Sequence, residues 1–537
     1  MKSDWKTLGK TATAALVLGF FLAAGFVLPA AAQETPRRGG VLQFAVHSDP
    51  SSYDGHREES SAVMHNLAPF YNLLVRADPD DTNKIIPDIA ESWTSSNNGL
   101  TFTFKIRQGV KFHDGSPLTS ADVKATYEKI IFPPKGVISR YKGIYSAVKA
   151  IEAPDSFTVI FRLSKPSGAF INIMANPWSW IYKADILAKD PTWYEKNILG
   201  TGPFILVEHV SGSHVEGKRN PDYWDKGRPY LDGFRTSIIK STTTRVAAVR
   251  AGRVDIEFRG FSPQQRDAVM GTLGAKGVLQ ESVMDCALWV AVNHDKKPLD
   301  DKRVRRALTL ALDRWEGSKV LSKITLVEAV VGMFPPGTTF ATPTEELVKY
   351  AGFSRDPEAS RKEARRLLKE AGQEGLKLNF HNRGIPMPYE AMGIWLIDQW
   401  RKIGVTVTQH WIEPASYFKI VRRGDHELAI DFNCPFITEP EVTLQKFLSV
   451  DKSPSNYSRY TDPVLDELFE KQSRATDLNE RKKYVRQFEK RVMDEEARSL
   501  MTLLWRRIIP HWSKVRGWKP SPSLYTNQSH DRVWLSE

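Results

Sequence analysis

Ser139-Arg-Tyr-Lys142 has the S-x-x-K spacing of acyl-serine enzymes, in which a lysine helps a serine hydroxyl lose its proton. That chemistry needs a K-T-G or S-D-N partner, and neither is present. Two specified positions recur by chance, so the match is discounted. HExxH, GxSxG, Walker A and dinucleotide-binding patterns are missing as well, which argues against an enzyme. The 12 histidines include no helical i, i+4 pair and no close ligand cluster, so neither a metal site nor a cofactor is expected. His113, in the turn Phe112-His-Asp-Gly115, reads as a hydrogen-bonded turn residue rather than a ligand or base.

Cys286 and Cys434 are the only two cysteines, too far apart for a CxxC redox motif or a zinc ribbon. They are either a disulfide or two buried thiols, and spacing does not choose. Aromatic residues are plentiful, among them Trp178, Trp180, Trp289, Trp395, Trp400 and Trp411. Most must fill core, while a few in a cleft can stack on a ligand.

The elements that would position such residues alternate between strand and helix patterns, which predicts an α/β fold. Gly39 to Val46 opens with β-branched and aromatic alternation. In Leu100 to Arg107, Leu100, Phe102, Phe104 and Ile106 face away from Thr101, Thr103, Lys105 and Arg107, the pattern of a half-buried antiparallel strand. Thr119 with Asp122 three residues on starts a helix running towards Ile130. Asp356-Pro357 starts another, with Ala364, Leu367 and Leu368 inward and Gly372 as its stop. A charged amphipathic helix after Asp477 is expected to turn Tyr484, Phe488 and Met493 inward, and Val254 to Ile256 reads as a short strand. No repeat or low-complexity tract interrupts the chain.

Lys2, Lys6 and Lys10, an apolar run from Ala14 to Leu28 and the small residues Ala30-Ala-Ala32 read as a secretory signal over 1–32, with Gln33 as the mature N-terminus. An uncleaved anchor is the alternative, but the run is shorter than the ~20 residues a bilayer needs. No cysteine follows it, so no lipid anchor is expected. Of 537 residues about 500 remain, enough for two or more lobes. Removing Lys2, Lys6, Lys10 and Asp4 lowers the formal net charge from +12 to +10. Acidic residues are interspersed among the basic ones, so the surface reads as solvated rather than as a nucleic-acid interface.

Longer motifs then add up. Ile85-Ile-Pro-Asp-Ile-Ala-Glu-Ser-Trp93, Leu100 through Phe112-His-Asp-Gly115 and Pro117-Leu-Thr-Ser-Ala-Asp-Val123 closely resemble the signature of family 5 extracellular solute-binding proteins, the peptide/nickel-binding type. Gly200-Thr-Gly-Pro-Phe204, Arg219-Asn-Pro-Asp-Tyr-Trp224, Ala251-Gly-Arg-Val-Asp-Ile256 and Asp301-Lys-Arg-Val-Arg-Arg-Ala-Leu308 follow in order. The resemblance implies a periplasmic-binding-protein type II (cluster C) fold. Lobe one would comprise 39–84, 196–290 and 506–537, with an inserted subdomain at 85–195 and lobe two at 291–505. It also implies a periplasmic protein, acting as a monomer, that closes over a peptide or peptide-like solute and delivers it to the permease of an ABC importer. A nickel chelate, opine, haem or oligosaccharide is the alternative cargo, and ligand sensing the alternative role.

The same resemblance implies a Cys286–Cys434 disulfide at the hinge. In peptide-binding relatives the segment after that cysteine supplies an aspartate for the ligand's ammonium group. Here the segment is Asn433-Cys-Pro435-Phe436-Ile-Thr-Glu439-Pro, and Phe436 occupies the aspartate's place. Glu439 is the candidate substitute, or a structural residue. Glu58 and Ser60, Phe258 and Arg259, Arg383 and Trp411 are the other cleft candidates. Arg383 resembles the carboxylate anchor of dipeptide binders, a task suited to a guanidinium fork; the alternative is a solvated loop arginine.

Overall fold

The computed structural model describes residues 34–536; the segment read as a signal peptide lies outside them. Three sheets organise the chain. The first has the order Val41–Val46, Gly233–Ile238, His214–Arg219, Phe204–Val210 and is parallel only at its first pair. The second, Ala90–Ser96, Thr101–Ile106, Thr158–Leu163, Val148–Asp155, is wholly antiparallel. The third is six-stranded and mixed, in the order Val327–Ala329, Ser499–Trp512, Gly277–Val292, Leu428–Asn433, Lys377–Arg383, Thr406–Ile412.

Two strands of the third sheet set the geometry of the molecule. Gly277–Val292 has 16 residues and Ser499–Trp512 has 14, and they run antiparallel with Gly277 opposite Trp512 and Ala291 opposite Ser499. At about 3.3 Å per residue each spans on the order of 50 Å. At one end Trp512 donates to the Val249 carbonyl, beside the helices flanking the first sheet. At the other, Val290 and Leu500 belong to the core under the six-stranded sheet. The Cys286–Cys434 disulfide ties the first crossing strand to the end of Leu428–Asn433.

Local chemistry explains the elements that the sequence makes legible. Phe102, Phe104 and Ile106 are buried while Lys105 is exposed, the alternation of a strand with one dry face. Thr119 and Asp122 form a reciprocal capping box for Ser120–Ile131. Asp356 accepts from the Ala359 N–H to cap Pro357–Glu370, and Gly372, at φ +67°, follows its end. Two expectations are corrected. In Leu478–Lys490 it is Val485, not Tyr484, that is buried with Phe488, and Met493 is buried just beyond the helix; Tyr484 donates to Glu480 at the surface. Val254 to Ile256 is not a strand but a single bridge, Ile256 to Phe44. No helix among the described residues is long and apolar enough to cross a membrane.

Candidate functional site

A cavity of about 580 Å³ is the candidate site. Its walls come from distant parts of the chain: Glu59; Arg140, Tyr141 and Trp178; Phe432 and Asn433 at the end of a strand of the third sheet, with Cys434, Phe436, Gln445 and Lys446 following it; and Tyr525. This volume lies within the ~300 to 1,000 Å³ of small-molecule sites.

The cavity has an aromatic wall. Tyr141 stacks on Trp178 at 6.2 Å and meets Phe436 edge-on at 5.2 Å, and Trp178 contacts Tyr525 at 5.5 Å. The Tyr141 hydroxyl donates to the Glu58 carbonyl, and burial pushes its pKa well above the ordinary phenol value. Burial pushes Tyr525 up to about 12. Neither phenol is a base near neutral pH, so these rings offer surface and hydrogen bonds rather than proton transfer.

Charges at the cavity are mostly spoken for. Lys446 donates to Asp431 at 2.8 Å and to the Phe432 carbonyl at 2.7 Å, with its ammonium 4.8 Å from the Trp289 ring. Burial raises the Asp431 pKa and the Lys446 charge opposes it. Arg140 and Glu59 pair loosely at 3.4 Å on the exposed rim. The Asn433 amide nitrogen is buried without a hydrogen-bond partner, a donor left for a ligand.

Arg383 is not itself a wall residue of the cavity but packs on Phe432, which is. Its guanidinium sits 4.9 Å from the Tyr389 and Phe432 rings and 5.4 Å from Phe418, and it donates to the Tyr389 hydroxyl at 2.7 Å. Its Nε is buried without a hydrogen-bond partner. Burial lifts Tyr389 to about 12 against the pull of two positive charges, Arg383 beside it and Arg259. Arg259, exposed at the edge of the first sheet's region, also bears electrostatically on Tyr525. The two arginines therefore act on one tyrosine from different parts of the chain.

The other sequence candidates are placed elsewhere. Phe258 is fully buried, stacked on His530 and packed against Phe44 and Trp518, so it is core. Trp411 lies on the edge strand Thr406–Ile412 and is 47% exposed, neither in the cavity wall nor in core. Ser60 caps the helix Ser61–Leu67 by accepting from the Ala62 N–H. Glu58 accepts from the Ser51 hydroxyl at 2.8 Å and lies 3.6 Å from Arg57. Pro435 is buried, its carbonyl accepting from Ser523.

Glu439 takes the structural alternative. It is fully buried, with one oxygen on Arg481 and the other accepting from Asn172 at 2.8 Å. Both are spent on holding elements together, so no oxygen faces the cavity to receive an ammonium group. Asp285, next to the disulfide, forms no ion pair among the described residues. Burial pushes it up to about 7, a bond from Thr438 opposes that, and one of its oxygens has no hydrogen-bond partner. Sequence reasoning missed most of the wall, including Glu59, Arg140, Tyr141, Phe432, Gln445, Lys446 and Tyr525. Phe436, Asn433 and Trp178 carried a signal through the resemblance or the aromatic pattern.

The match that decides the family covers residues 84–455, against the model described as bacterial extracellular solute-binding proteins, family 5 Middle. The chain belongs to this family. Among its relatives, this family 5 protein is 28% identical over 500 residues to heme-binding protein A of Haemophilus influenzae, covering 87% of each chain. It is 27% identical over 484 residues to di/tripeptide-binding protein 2 of Pseudomonas aeruginosa, covering 85% of this chain and 87% of that one. Of solved structures, it resembles an ABC transporter-associated periplasmic binding protein from Helicobacter pylori in complex with the peptide STSA. That likeness has a TM-score of 0.75 at 25% identity and covers 93% of this chain and 99% of the other. The family 5 protein thus has the type II periplasmic-binding fold that its motifs implied.

Proposed function

We propose that this family 5 protein is the periplasmic solute-binding component of an ABC importer, capturing a peptide or peptide-like solute without chemical change. Segments 39–84, 196–290 and 506–537 act as lobe one, 85–195 as its inserted subdomain and 291–505 as lobe two. The two long strands form the hinge, and closure signals occupancy to the permease. The observation that carries this reading is the cavity itself, because ligand contacts with its walls bridge all three parts. Arg383 receives a carboxylate of the solute, since its partnerless Nε leaves a site for a charge-assisted bond worth about 1.5 to 3 kcal/mol. Arg259 draws the same anion from the other lobe, and Asn433 donates to a neutral acceptor.

A non-peptide cargo is the second reading, favoured by Phe436 where peptide binders place an acid and by the occupied oxygens of Glu439. Mass spectrometry of whatever co-purifies, followed by thermal stabilisation with that solute and with a mixed peptide library, separates the two. Peptides that co-purify and raise Tm support peptide import. A non-peptide solute with no response to peptides transfers the same clamp to another cargo. Stabilisation by neither, together with normal solute uptake after gene deletion, sinks the transport reading.

A further inference from the structure

Far from the cleft residues in sequence, the hairpin of Phe204–Val210 and His214–Arg219 carries an irregularity. Leu206 pairs with Gly217, but Glu208 pairs with Glu216, so one extra residue, Val207, is bulged out between them. Without that bulge Glu208 would point to the opposite face. With it, two carboxylates stand directly opposite each other on one face, an arrangement that costs stability unless something positive compensates. His214, two residues from Glu216 on the same strand and face, brings its Nε2 to 2.8 Å from Glu208 Oε1. Its other ring nitrogen is hydrogen-bonded to the Ser213 hydroxyl at 2.9 Å, which orients the imidazole, and the ring is buried.

We propose that Glu208, His214 and Glu216 form a divalent transition-metal site suited to Zn²⁺. Each offers one ligand atom, and the three lie within 4.8 Å of one another. Around a tetrahedral zinc with bonds of ~2.0 to 2.2 Å, ligand atoms stand about 3.4 Å apart, between the 2.8 Å contact and the outer span of this triad. Arg235, opposite Glu216 on the next strand, takes Glu216 Oε2 at 2.6 Å and leaves Oε1 without a hydrogen bond among the described residues. The mixed imidazole and carboxylate set favours zinc over magnesium or calcium, which prefer all-oxygen shells. Ser213 supplies the outer hydrogen bond that metal-binding histidines characteristically have. The triad escaped sequence reading because its spacing is that of a bulged hairpin, not of a helix or a knuckle.

The test is calorimetric titration of Zn²⁺, with Mg²⁺ in parallel, into the EDTA-treated purified protein, together with Tm at saturating zinc. One saturable zinc site is expected, with a raised Tm and no comparable response to magnesium. His214→Ala and Glu208→Gln should each weaken it at least about tenfold, while His410→Ala, on the six-stranded sheet, leaves it unchanged. Should His214→Ala fail to fold, Glu208→Gln decides: zinc must raise the Tm of the wild-type protein and leave that of Glu208→Gln unchanged. Absence of saturable binding, or binding that survives both variants, overturns the proposal.

Discussion

Arg481 donates to Glu439 in the protein interior, where the two side chains are 3% and 0% exposed. The same arginine reaches the Gly168 and Gln472 carbonyls, and Asn172 takes the second Glu439 oxygen. One ion pair thereby joins the segment after the disulfide to the stretch around Gly168 and Asn172 and to the helix Leu478–Lys490.

Breaking this pair leaves a buried charge unmatched. Glu439→Gln should cost about 3 to 5 kcal/mol of stability in urea unfolding. Affinity for the co-purifying solute, measured at a temperature where the variant is folded, should stay near wild type. A loss of affinity with unchanged stability would mean that Glu439 contacts the solute after all.

Phe436 occupies the cavity wall against Tyr141. Phe436→Asp places a carboxylate there and should give peptides with a free N-terminus an advantage of about ten- to a hundredfold over their N-acetylated forms, the worth of one charge-assisted hydrogen bond. Equal binding of both forms by the variant would show that this end of the cavity does not receive an ammonium group.

The Cys286–Cys434 bond closes a separation of 148 residues. Constraining so long a loop in the unfolded chain contributes about 3 to 5 kcal/mol. Reduction, or the double replacement Cys286→Ser and Cys434→Ser, should move the guanidinium midpoint down accordingly. An unchanged midpoint would remove the disulfide from the account of stability.

Buried histidines set the acid limit. Burial holds His56 and His65 down at about 3 and His113 and His530 at about 4. The unfolded chain binds those protons near pH 6.5, so their contribution is complete above that pH and is lost progressively as pH falls towards 4. Asp285 acts in the opposite sense. Its folded value of about 7 lies above the unfolded one, so rising pH from about 4 to 7 favours the unfolded chain. Asp285→Asn should therefore raise Tm at pH 8 and do so much less at pH 4; equal gains at both would show that the carboxyl is ionised in the folded protein.

The capping box of Thr119 and Asp122, the alternation through Phe102, Phe104 and Ile106, and the turn at His113 were legible in the sequence. Each depends on residues within a few positions, where backbone geometry leaves little choice. The family motifs extended that legibility to the fold and to the disulfide partners, whose pairing spacing alone left open. The destination of individual polar and aromatic side chains was decided by tertiary structure. Glu439 is claimed by Asn172 from 267 residues away, Phe258 is sealed under His530, and Trp411 is left on an edge strand with 47% of its surface exposed. The cavity wall likewise draws Tyr141, Lys446 and Tyr525 from three separate stretches. Burial and pairing are properties of the packed molecule, set by which distant groups compete for the same hydrogen bond or the same apolar surface, and no local pattern encodes the outcome of that competition.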